Sequence, residues 1–295
     1  MYGYFCERDY QGDFPYTDLA AERRRADISL AGVDYTREVS IGGTWERIKI
    51  TSDEGARSIG RPRGVYDTLE VERMDLLDLE AIDDAKEEIA RELCYMCDLC
   101  DVIPDRLLVV GLGNPALTPD SIGARSAGNV RATMHIGEFD PGFFTSLECS
   151  EIAVMTPSVA SVSGMDAAVS IRGVSDIIKP DAVIVIDALA SRSGERLGRT
   201  IQVTNTGIHP GSGLGNSRQC LSRESLGVPV IALGIPTVID ARMLIADSCT
   251  DEELARKVTA KSPAMFVSPK EIDEIVKVGA EIIGGAINQA FGLFC

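Results

Sequence analysis

"VIVIDALASR", residues 183–192, is the stretch on which the fold turns. Four branched aliphatic residues, Val183 to Ile186, run without a polar break into Asp187, and a small-residue exit follows. An unbroken apolar run of this kind reads as a strand covered on both faces, the sort found inside a parallel sheet. A carboxylate at its end is costly to bury unless it is paired or used. Asp187 therefore marks the end of a strand and a candidate site at once.

Similar runs flank it. "RLLVVGLGN" (106–114), "EIAVMTPSV" (151–159) and "VPVIALGIPTVID" (228–240) read as further buried strands. "TIQVTNTGI" (200–208) reads as an edge strand, and residues 28–69 as short strands and turns around the loop "GRPRG" (60–64). Between them lie helical patterns. "DLLDLEAIDDAKEEIARELCYM" (75–96) is the first long helix, and "AAVSIRGVSDIIKP" closes on Pro180. "TPDSIGARSAGNVRATMHI" starts a helix with Thr118 as cap and Pro119 in its first turn; the final helix, to Phe291, takes Ser268 as cap. Strands alternating with helices predict an α/β fold of three layers, α/β/α, around a mostly parallel sheet.

The bulk numbers bound the function. The chain has 295 residues with 45% hydrophobic and 25% charged content, enough for a full core without staples. No apolar run approaches the roughly 20 residues of a membrane helix, and the N-terminus carries no secretory pattern. A cytoplasmic protein with no membrane partner is expected. The net charge of −16 argues against direct contact with a nucleic acid backbone. Of eight cysteines, Cys94, Cys97 and Cys100 form C-x2-C-x2-C, but on a helical pattern and without the next ligand; buried helix cysteines are expected.

In α/β sheets the ligand crevice lies beyond the carboxyl ends of the strands. Asp187 sits at one such end. The loop "GLGNPALTPD" delivers Asp120 from a neighbouring one. Two carboxyl groups across one crevice resist ionising together and tend to share a proton. One then activates water while the other acts as an acid. The structural alternatives are a first-turn role for Asp120 and an ion pair of Asp187 with Arg192 or Arg125. Other signals are thin. "GLGN" lacks the third glycine of a dinucleotide loop, and only His135 and His209 are present, so a zinc site is a poor fit. His209 beside Ser212 in "HPGSGLGN" reads as a glycine-rich crevice wall. No cofactor is expected.

"LVVGLGNPALTPDSIG", "VIVIDALASRS", "TGIHPGSGLGN" and "VPVIALGIPTVIDA", in this order, resemble the germination proteases of spore-forming bacteria, as does "ITSDEGARSIGRPRGVYDTLEV". The resemblance runs from about Thr17 to at least Ala246. It implies a hydrogenase-maturation-protease-like fold and an atypical aspartic endopeptidase that degrades small acid-soluble spore proteins. It assigns catalysis to Asp120 and Asp187, and implies a homotetramer in the forespore or spore core. It also implies a zymogen: "YTDLAAE" (16–22) resembles the family's processing site, so the cut falls between Asp18 and Leu19. Residues 1–18 are then a propeptide and 19–295 the catalytic domain. Two other readings compete: a metal-assisted relative of the hydrogenase maturation proteases, with Asp120 as ligand, and a non-enzymatic Rossmann-like binding module.

Overall fold

The computed structural model describes residues 17–23, 30–211, 219–248 and 265–292. Among the described residues, nine strands form one sheet: β1 (Val33–Ser40), β2 (Gly43–Ile50), β3 (Gly64–Glu70), β4 (Arg106–Gly111), β5 (Glu151–Met155), β6 (Ala182–Ser191), β7 (Thr200–Thr204), β8 (Val230–Asp240) and β9 (Phe266–Val267). Their order is β1-β2-β3-β7-β8-β6-β4-β5, with β9 added to β8. The helices are α1 (Ala20–Arg23), α2 (Asp53–Ile59), α3 (Leu79–Leu99), α4 (Ile122–Gly128), α5 (Met134–Phe139), α6 (Pro141–Ser146), α7 (Ala160–Ser163), α8 (Ala167–Ile178), α9 (Arg223–Leu226), α10 (Ala241–Ser248) and α11 (Ile272–Phe291).

The α/β class holds, and the sheet has two halves. β8, β6, β4 and β5 run parallel, as the unbroken apolar runs predict. β1, β2, β3 and β7 form an antiparallel meander that joins β8 through β7. The mostly parallel order is thus confined to one half of a mixed sheet. β7 corrects the edge assignment. It lies between β3 and β8, and all five of its residues are buried, because the meander completes the sheet beyond it.

Alternation along the parallel strands sorts the core. Leu107, Val109, Ile184, Ile186, Leu233 and Ile235 face α3, α4 and α11, meeting Ile89, Leu93, Ile122, Ile283 and Ile287. Leu108, Val110, Val183 and Val185 face the other way, against Ala168 and Ile171 of α8. This gives the three layers. Each such aliphatic side chain taken out of water contributes about 1.5–3 kcal/mol.

Helix ends follow local chemistry. Asp78 caps α3 by accepting from the Ala81 N–H at 2.9 Å. Lys179, left-handed at φ 53°, ends α8 just before Pro180. Two expected caps are displaced. Thr118–Asp120 forms a separate 3-10 turn and α4 begins only at Ile122, because the Asp120 carboxylate turns back to the Asn114 N–H instead of leading a helix. Ser268 follows β9, whose pairing to β8 holds the chain extended; α11 starts at Ile272, flanked by Glu271. α2, held by Ser52 at one end and left-handed Gly60 at the other, has no counterpart in the apolar pattern.

Candidate active site

Asp187 takes its position from strand lengths. The last partner of β4 on β6 is the pair Gly111 and Ile186. Asp187 is therefore the first residue of β6 beyond β4, while it still faces Gly234 on β8. It is 6% exposed, and its Oδ1 accepts from the Ala188 N–H at 2.9 Å. β6 runs on to Ser191 along β8 alone, with a register shift between Leu189 and Ala190.

Asp120 arrives from the loop after β4. Its Oδ2 accepts from the Asn114 N–H at 2.8 Å. Gly113, at φ 93°, lies under it; a Cβ there would stand 1.9 Å from the Asp120 carbonyl oxygen, so a side chain is shut out twice, by conformation and by space. Thr237, fully buried on β8, donates from Oγ1 to the Pro119 carbonyl at 2.7 Å and pins the same turn. Asp120 and Asp187 line one cavity of about 340 Å³, as the sequence reading expects. Thr237, Asp18 and Asp166 line it too. Asp166 also caps α8 through the Ala168 N–H at 2.9 Å.

Asp18 brings the N-terminal segment into this cavity. Its N–H donates to the Ala190 carbonyl at 2.9 Å, and its Oδ2 accepts from the Ala190 N–H at 2.9 Å. Arg61 stands 3.6 Å from the same carboxylate. The bond between Asp18 and Leu19 is gripped from both sides by Gln202 of β7. Its Nε2 donates to the Asp18 carbonyl at 3.2 Å, and its Oε1 accepts from the Ala20 N–H at 2.9 Å. Leu19 is 0% exposed. Thr17 shapes the approach, its Oγ1 accepting from the Leu19 N–H at 3.1 Å. Residues 1–16 of the expected propeptide lie outside the described residues, as does Ser212; His209 lines a smaller adjoining hollow with Arg61 and Gln202.

The cysteines of α3 stay outside this site. Of the three expected to be buried only Cys97 is, and burial pushes its thiol up to about 12; Cys94 is exposed and Cys100, just past the end of α3, is half-buried, and all are free thiols. Among the described residues, no group of three or more His, Cys, Asp and Glu side chains is arranged to hold a metal ion, and no helix is long and apolar enough to cross a membrane.

Gln202, Arg61 and Thr237 escaped the sequence reading. Each comes from a different strand or loop, and no local spacing links them. The one available signal was the unusual polarity of "IQVT", a glutamine in a strand buried throughout.

A family model described as peptidase A25, germination protease, matches residues 17–252. The germination protease of Caldanaerobacter subterraneus subsp. tengcongensis is 38% identical over 308 residues, covering 93% of each chain. That of Clostridium perfringens is 34% identical over 310 residues, covering 93% of this chain and 94% of the relative. That of Bacillus cereus is 42% identical over 243 residues, covering 79% of this chain and 65% of the relative. Among solved structures, the [NiFe] hydrogenase maturation protease HycI of Thermococcus kodakarensis aligns with a TM-score of 0.36 and 16% identity, over 65% of this chain and 96% of its own. With its family model and its relatives matched over most of their length, the chain belongs to the germination protease family and is a peptidase.

Proposed function

We propose that this peptidase is an aspartic-type endopeptidase that first cuts its own chain between Asp18 and Leu19 and then small acid-soluble spore proteins. Asp120 and Asp187 are its catalytic pair. The observation that carries this reading is the shared cavity: Asp18, Asp120 and Asp187 line one hollow, and the Asp18–Leu19 bond is held beside it by Gln202.

The chemistry follows from the groups present. One carboxylate takes a proton from water as the oxygen attacks the Asp18 carbonyl carbon. The Gln202 Nε2–H, aimed at that carbonyl oxygen, stabilises the negative charge that develops there. The second carboxyl, protonated, gives its proton to the Leu19 nitrogen as the C–N bond breaks. The products are a free carboxylate on Asp18 and a free amine on Leu19. Such a mechanism needs one carboxyl ionised and the other protonated.

Residues 1–18 are then the propeptide and 19–295 the mature enzyme, working in the spore core as a homotetramer. Mass spectrometry of the full chain, incubated between about pH 8 and about pH 6, tests the cut. Loss of a fragment ending at Asp18, faster at the lower pH, is the expected result. A chain that stays whole while it digests a peptide carrying the same acid–Leu–Ala sequence rules out self-processing here.

A further inference from the structure

The chain enters Asp120 through a peptide unit that is held at both ends. Its N–H, on Asp120, donates to the Leu117 carbonyl at 2.8 Å. Its carbonyl, on Pro119, accepts from Thr237 Oγ1 at 2.7 Å. The first bond joins the loop to itself, as does the one from the Asn114 N–H to the carboxylate. The second joins it to β8, the strand that sets Gly234 against Asp187, and Thr237 lies just beyond Gly234 on that strand. The near end of the same loop is tied to β6, where the Leu112 N–H donates to the Ile186 carbonyl at 2.8 Å. The loop is thus fastened at its two ends to the two strands that hold Asp187.

Thr237 owes its place to an irregularity in β8. Leu189 of β6 faces Pro236 and Ala190 faces Val238, so Thr237 is left without a partner on β6. It is the extra residue of a β-bulge, which bends a strand and re-aims its side chains. The sequence supplies the reason. Pro236 has no N–H to give to the ladder, and a proline inside a central strand is found at bulges. The sheet has room for it here, because pairing with β7 covers Ala232–Gly234 and pairing with β9 begins at Ile239. The Pro236 carbonyl is met from outside the ladder by the Gly198 N–H at 3.0 Å. Thr237 is fully buried, so its hydroxyl is held to the Pro119 carbonyl rather than shared with bulk water. Its β-branched side chain is stiff at χ1, which fixes the reach of that hydroxyl.

We propose that Thr237 is a positioning residue of the peptidase: the bulge at Pro236–Thr237 aims its hydroxyl at the Pro119 carbonyl and so sets Asp120 in register with Asp187. It acts through Asp120, not on the substrate. Misplacing a catalytic group by about 1 Å costs about 10²-fold, and the loss falls on the chemical step. This rests on Asp120 and Asp187 being the catalytic pair.

Kinetics of the full chain on a peptide carrying the acid–Leu–Ala sequence test it. Thr237→Val keeps the shape of the side chain and removes the hydroxyl. Its kcat should fall by about 10²-fold while KM changes by less than about twofold. Thr237→Ser restores the hydroxyl and should recover about tenfold or more of that loss. Added to Asp120→Asn, Thr237→Val should cost nothing further, because the two residues act as one unit. A further loss in that double variant overturns the proposal. So does an unchanged kcat in Thr237→Val with only Tm lowered, or a Thr237→Ser variant as slow as Thr237→Val. Should circular dichroism show Thr237→Val unfolded, Thr237→Ser is set against Thr237→Ala. A kcat higher in the serine variant by about tenfold or more supports the proposal, and equal values overturn it. Near-normal turnover in Asp120→Asn fails the catalytic-pair reading and this proposal with it. Lost turnover in Asp120→Asn beside an unaffected Thr237→Val overturns this proposal alone.

Discussion

Gln202 spans the Asp18–Leu19 bond, donating to the Asp18 carbonyl at 3.2 Å while accepting from the Ala20 N–H at 2.9 Å. Both ends of its amide are thereby used, which fixes its orientation. A side chain held this way is pre-set to stabilise an oxyanion at the carbonyl it touches. Gln202→Leu should slow the appearance of the Leu19 amine by about 10²-fold or more. Mass spectrometry over time measures it. An unchanged rate would make Gln202 a docking residue only.

Asp120→Asn and Asp187→Asn should each stop the cut, with a loss of about 10³-fold or more, and the double variant should be little worse than either alone. Members of one catalytic unit do not add. Circular dichroism should match the wild type, since asparagine can keep the contacts to the Asn114 and Ala188 N–H groups. Near-normal turnover in either variant, with the fold retained, removes that residue from the pair.

Gly113→Ala should damage activity more than its place on a loop suggests. The new Cβ would meet the Asp120 carbonyl oxygen at 1.9 Å, at a φ of 93° that alanine resists. The turn carrying Asp120 has to move. We expect a fall in kcat with a smaller change in KM, together with a lowered Tm. A Tm drop with kcat untouched would show that Asp120 tolerates displacement.

Stability should depend on pH through a buried group that does not line the cavity. Arg47 Nη1 donates to Asp67 at 2.5 Å and to Glu92 at 2.7 Å, so two carboxylates share one guanidinium between β2, β3 and α3. Burial, with the neighbouring Asp67, pushes Glu92 up to about 8, and burial raises Asp67 as well. The folded chain then holds a proton that the unfolded chain releases at an ordinary carboxylate pKa. Stability from this site is complete below that ordinary value and falls as pH rises towards about 8. Glu92→Gln should flatten the curve of Tm against pH over that window. An equally steep curve in the variant would locate the dependence elsewhere.

Much of this was legible in the sequence because it is local. "VIVIDALASR" and its neighbours announced buried strands, since unbroken aliphatic runs have few other homes. α3 follows its apolar period from Leu79 to Leu99. Asp120 stood out because it follows a strand, where α/β sheets open their crevices; Asp187 was read as a strand end, but β6 runs on to Ser191 and only its pairing with β4 ends before Asp187. The antiparallel half of the sheet was less visible. Its strands mix charged and apolar residues, and β7 reads as an edge until β3 is known to cover it.

By itself, then, the sequence determined the α/β class and the buried strands, and singled out the two carboxylates Asp120 and Asp187, because period and side-chain type act over a few residues. The tertiary structure alone decided that β4 stops one residue short of Asp187, that Gln202 crosses from β7 to the Asp18 carbonyl, and that Asp18 and Glu22 both reach Ala190–Ser193. The contacts of Gln202, Asp18 and Glu22 join residues 169 to 184 positions apart. No spacing along the chain encodes them. They exist because strand order, register and one helical turn bring distant polar groups to the same few ångströms, where each buried donor must find an acceptor.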